Sequence, residues 1–94
     1  MTQTTHAKET MMYVLTDTFN GREISRHRTL RAALVAAERD AYHTRKANGS
    51  SSYIPTMILD SKTGDKIYSN GSCSLTDLAY TRIGVDGQAE YGLV

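Results

Sequence analysis

From Leu30 to Ala47 the chain runs without a glycine or proline and is rich in Ala, Leu, Arg and Glu, all good helix formers. At about 100° per residue, Leu30, Ala33, Leu34, Ala37 and Ala41 fall on one stripe. Three of the five are alanines, so a helix carrying this stripe sits close to whatever it packs on. Thr29 stands where a cap belongs, its hydroxyl able to accept from the first free amides. Asn48-Gly49 supplies the left-handed stop, with Arg45 and Lys46 in the last turn, where the helix dipole favours positive charge. One long helix in a chain of 94 residues leaves room for one small sheet to pack against it.

The segments around the helix read as strands. All three asparagines precede glycine, at Asn20-Gly21, Asn48-Gly49 and Asn70-Gly71, and each pair tolerates positive φ and marks a turn or cap. Residues 12–19 and 22–27 flank the first pair as a β-hairpin. Residues 53–60 and 65–69 form a second pair of strands around Ser61–Gly64, with Pro55 near a strand start or an edge because it lacks an amide donor. Residues 50–52, three serines, are a connector. Ser74 followed by Asp77 resembles a helix cap, predicting a short helix over 75–80 and then a hairpin around Asp86-Gly87. The expected architecture is α+β: a small antiparallel sheet with one main helix on one face, in ββαββ order plus a C-terminal short helix and hairpin. Residues 1–11 are polar, without periodicity, and are expected as a disordered tail before a single domain over 12–94.

Strand alternation carries a second message. Met12 and Val14 face one side while Tyr13 and Leu15 face the other; Ile54 and Ile58 oppose Tyr53, Met57 and Leu59. Both strands are apolar on two faces, yet one helix covers one. Residues 74–94 are the first expectation for covering the second face, ahead of a second subunit or a partner.

Net charge is +1, but it is unevenly placed. Residues 22–46 hold seven basic and three acidic side chains, a net of +4, and the remainder carries −3. Helical charges are dispersed, with Arg39, His43 and Lys46 opposite the apolar stripe and Glu38 between Arg31 and Arg45. Arg22, Arg26 and Arg28 alternate along the second strand and Arg31 opens the helix. These four form the candidate contact surface for an acidic protein or for phosphates, beside a solvated edge that simply deters aggregation. Tyr13, Phe19 and Tyr53 are the aromatic anchors expected to join them, because Tyr and Arg dominate interface energetics.

Other chemistry is thinly represented. His6, His27, His43 and the single Cys73 have no metal-ligand spacing, and one cysteine forms no internal disulfide, as expected of a reducing, cytoplasmic setting. No run of apolar residues is long enough to cross a membrane as a helix. There is no phosphate-loop or dinucleotide motif and no carboxylate pair with a reason for perturbed pKa. No catalytic, metal or cofactor residue is therefore expected, and the chain reads as non-enzymatic.

A compact, motif-poor α+β chain with a bipolar surface is similar in type to small accessory proteins of phages and plasmids. Many of these inhibit by binding a host protein or nucleoprotein complex, including CRISPR and restriction components. That likeness implies an acidic host partner. Nucleic-acid binding through Arg22, Arg26, Arg28 and Arg31 is the alternative, and a homodimeric module using the uncovered sheet face is a third.

Overall fold

The computed structural model describes residues 12–48, 56–72 and 76–94, with the helix over 41–48 described by its backbone. The chain runs β1 (Tyr13–Asp17), β2 (Glu23–His27), α1 (Leu30–Asn48), β3 (Thr56–Asp60), β4 (Lys66–Ser72), β5 (Leu78–Ile83) and β6 (Ala89–Leu93). The six strands form one sheet in the order β2-β1-β3-β4-β5-β6, each neighbouring pair antiparallel. The architecture is α+β as expected, but the order is ββαββββ. The predicted tail over 1–11, the connector over 50–52, Tyr53, Pro55 and Cys73 lie outside the described residues.

Local chemistry explains the first half. In the β1–β2 hairpin, Asp17 Oδ1 accepts from the Phe19 amide and Asn20 Oδ1 from the Arg22 amide, while Gly21 takes the positive φ (76°) that the turn needs. Thr29 caps α1: its Oγ1 accepts from the Ala32 amide at 3.1 Å and its carbonyl from Ala33. Since β2 and β3 each run antiparallel to β1, they are parallel to one another, and α1 is the crossover that carries the chain past β1.

The apolar stripe packs as its spacing requires. Ala33, Leu34 and Ala37 are buried against Leu15, Ile58, Ile67 and Leu78 from four strands, with Leu30, Tyr13, Tyr80 and Val94 around them. Burying each Leu or Ile side chain contributes about 1.5–3 kcal/mol, so these few residues hold the layer together. The side chain of Ala41, the fifth stripe member, is not among those described.

In the second half the β3–β4 pair and the hairpin around Asp86-Gly87 form where expected, and the departures lie at residues 78–80 and at Asn70-Gly71. Residues 75–80 were predicted to open a short helix, yet Leu78–Ile83 is a strand paired along β4 and β6. Pairing with β4 on one side and β6 on the other, together with the strand-favouring Tyr80, Thr81 and Ile83, outweighs the local resemblance to a cap. Asn70-Gly71 is likewise not a turn. It lies within β4, where the register with β5 shifts between Ser69 and Ser72, and Gly71 adopts φ 91°. A glycine at that φ is what a bulge uses to absorb an extra residue without ending the strand.

The consequence concerns the second face. Residues 78–94 do not fold across the sheet as expected; they extend it edge-on as β5 and β6. The helix-free face carries Val14, Met57, Leu59, Tyr68, Ile83 and Tyr91, and among the described residues no element lies over it. No helix among these residues is long and apolar enough to cross a membrane.

Candidate partner-binding surface

Arg31, Val35 and Arg39 recur every four residues on one flank of α1, beside Ala32 and Ala36 on the side nearest β2. Because those two alanines fill little space, a groove of about 450 Å³ remains between helix and strand, lined by His27 and Thr29 as well. A second hollow of about 270 Å³ adjoins it, bounded by Leu15, Ile24, Ser25, Ala36, Arg39 and Asp40. The register of β1 with β2 shifts between Leu15 and Thr16, so Ile24 is the bulged residue, and it lines this hollow on the helix side. Ile24 and Val35 remain exposed, at 43% and 37%. His27 Nε2 and Ser25 Oγ are 2.7 Å apart, holding the imidazole along the strand at the groove wall. The result is an apolar floor with Arg31 and Arg39 along one side and an edge strand along the other.

The sequence-derived candidates do not converge on one face. Arg22 and Arg28 are exposed but lie just outside β2, at its two ends. Arg26 is opposite Val14 and so on the helix-free face, where its Nε donates to Glu23 Oε2 at 2.6 Å. That hydrogen bond holds the Glu23 carboxyl below its ordinary range and raises Arg26 above its own. Arg31 donates from Nη1 to the Val94 carbonyl at 2.8 Å. Tyr13 packs against the core, half-buried on the helix side, and props the sheet there. Phe19 is 86% exposed in the hairpin turn. Arg39, Ile24 and Val35 were missed as site residues. The spacing of 31, 35 and 39 was visible in the sequence; the strand that faces them was not.

A charged cluster also escaped the sequence reading, which found no carboxylate pair of interest. Arg82 Nη1 on β5 donates to Asp60 Oδ2 at 3.1 Å and to Asp65 Oδ2 at 2.7 Å, tying together β3, β5 and the β3–β4 turn. Burial works against the Asp60 charge, but Arg82 and the amides of Lys62 and Thr63 outweigh it and hold the carboxyl below its usual value. Burial opposes Arg82 too, and Asp65 with Asp60 reverses it, raising its pKa. Asp60 is therefore ionised near neutral pH, a charge lock joining strands. His6 and Cys73 lie outside the described residues, as does the side chain of His43.

Comparison with known proteins returns no matching family model, no matching curated protein and no matching solved structure.

Proposed function

We propose that this chain is a non-enzymatic interaction protein that takes an acidic, extended segment of a larger protein into the groove between β2 and α1. The observation that carries this reading is the conjunction of three features: an edge strand, an apolar hollow containing Ile24, and the Arg31–Val35–Arg39 flank. An added strand gains main-chain hydrogen bonds from β2 and places alternate side chains over Ile24 and Val35. Acidic residues between them meet Arg31, Arg39 and the nearby Arg28, which set orientation and exclude basic competitors. Masking an acidic surface of a host protein or nucleoprotein complex, as phage and plasmid inhibitors do, is one use of such a groove.

The test is a titration of the labelled chain with a synthetic peptide alternating Glu and Val, read by NMR shifts. Shifts are expected at Ile24, Ser25, His27, Val35 and Arg39, and Val35→Asp together with Arg39→Glu should weaken binding at least about tenfold, or 1.4 kcal/mol. A scrambled peptide that binds equally well overturns the reading. So does tight binding of duplex or single-stranded nucleic acid whose affinity falls with log[salt] by about 0.9 or 0.7 per neutralised phosphate, which would establish the phosphate-binding alternative.

A further inference from the structure

The opposite edge of the sheet has a different chemistry, and it matches itself. Leu78 and Val94 exchange both main-chain hydrogen bonds, at 2.9 Å each, and the Gly84 amide donates to the Gln88 carbonyl. These contacts set the phase of the β5–β6 ladder. The hydrogen-bonded pairs are Leu78 with Val94, Tyr80 with Gly92 and Arg82 with Glu90, while Ala79, Thr81 and Ile83 face Leu93, Tyr91 and Ala89 without exchanging bonds. The amides and carbonyls of Ala89, Tyr91 and Leu93 therefore point away from β5, off the end of the sheet. Their side chains lie on the helix-free face, since Val94 packs on the core side. Tyr91 is 80% exposed and Leu93 60%.

We propose that β6 pairs antiparallel with β6 of a second copy, about a two-fold axis through Tyr91. In this register Tyr91 faces its counterpart, and Ala89 faces the second copy's Leu93. All three outward residues of each strand then both donate and accept, giving six main-chain hydrogen bonds across the axis. Glu90 falls opposite Gly92, so the one charged residue of the strand never meets its like. Moving the centre by one residue toward the N-terminus sets Glu90 against Glu90; moving it by one toward the C-terminus leaves Ala89 without a partner in the strand. The axis through Tyr91 thus maximises bonds and avoids repulsion. It also joins the two helix-free faces, bringing Tyr91 and Leu93 of both copies beside the row that contains Thr81 and Tyr68.

The occupant is a second copy because the pairing is self-complementary in hydrogen bonding, size and charge. The other edge lacks this property: β2 carries Glu23, Arg26 and His27 in five residues and is interrupted by its bulge.

Light scattering on the intact chain measures the mass over a concentration series, and hydrogen exchange follows the amides of residues 89, 91 and 93. The expected mass at high concentration is twice 10.4 kDa, with those three amides slowing as the dimer forms. Tyr91→Lys should return the monomer, because it sets like charges opposite one another. Tyr91→Pro should do the same by removing an amide that β5 does not use, with circular dichroism showing that the sheet persists. Glu23→Lys with Arg26→Glu, on the far edge, should leave the dimer intact. A chain that stays monomeric up to about 1 mM overturns the proposal. So does a dimer that survives both Tyr91 variants.

Discussion

The sheet ends in two five-residue strands that occupy equivalent places and have opposite characters. At β2 the strand is bulged and charged, and α1 follows it directly, so the helix flank stands beside the edge. At β6 the pairing with β5 is regular, the single charge is Glu90, and α1, which reaches β1 through β5, stops short of it. An edge strand's unpaired groups do not decide its fate by themselves. What stands next to them does: under the two proposals a basic helix flank suits an acidic foreign strand and disfavours a copy of the chain, whereas a bare apolar edge suits its own kind.

The largest perturbation expected to separate the two edges is Arg82→Met. It leaves Asp60 buried without its cation, at a cost of about 2–3 kcal/mol once partial exposure is allowed for. Hydrogen exchange should show β5 and β6 loosening before β2. The pH dependence follows the same logic. Because the folded pKa of Asp60 is depressed, its contribution is present above the unfolded value of about 4 and is lost as pH falls through the folded value. Denaturant midpoints should drop in that acid range for the wild type, and part of this drop should vanish in Arg82→Met.

Gly92→Leu acts where β6 meets β5, far from β2. A Cβ at Gly92 would meet the Tyr80 hydroxyl and ring, the former 2.5 Å away. Overpacking of this kind costs about 2 kcal/mol. Thermal melts should register it, and dimerisation should fail with it while peptide-induced shifts at Ile24 and Val35 persist. If instead those shifts disappear, the two edges are coupled and the contrast between them is too simple.

The smallest expected effect is on the β2 side. Thr29→Ala removes the cap that starts α1 and costs about 1 kcal/mol. It should fray the turn that carries Arg31 and weaken acidic-peptide binding, leaving the β6-dependent mass unchanged. Comparing Gly92→Leu with Thr29→Ala sharpens the assignment of one function to each edge.

Much of the first half was legible because its signals are local. The stripe Leu30–Ala33–Leu34–Ala37, the Thr29 cap and the Asn20-Gly21 hairpin each depend on residues within a turn or two of one another. The sheet's two-faced hydrophobicity was legible too, from the alternation around Leu15 and Ile58. Residues 78–80 were not, because Ser74 and Asp77 resemble a cap while the pairing of Leu78 to Tyr80 with β4 and β6 exists only in the assembled sheet. The candidate groove was half visible: Arg31, Val35 and Arg39 share a helical flank by arithmetic, but Ile24 joins them through a bulge defined by pairing with β1. Asp60 and Asp65 close a turn that the sequence marks with Gly64, whereas Arg82 reaches them only through the β4–β5 register.

By itself, then, the sequence determined where the helix runs, which of its faces is buried, which strands flank it and that one helix leaves a sheet face open. These follow from side-chain period, capping and turn chemistry, which act over a few bonds. Only the tertiary structure decided that residues 78–94 widen the sheet instead of covering it, that the candidate arginines part onto different surfaces, and that β2 and β6 become the edges. Strand order and register depend on hydrogen bonds between distant residues, and neighbouring registers look alike until the whole sheet is assembled.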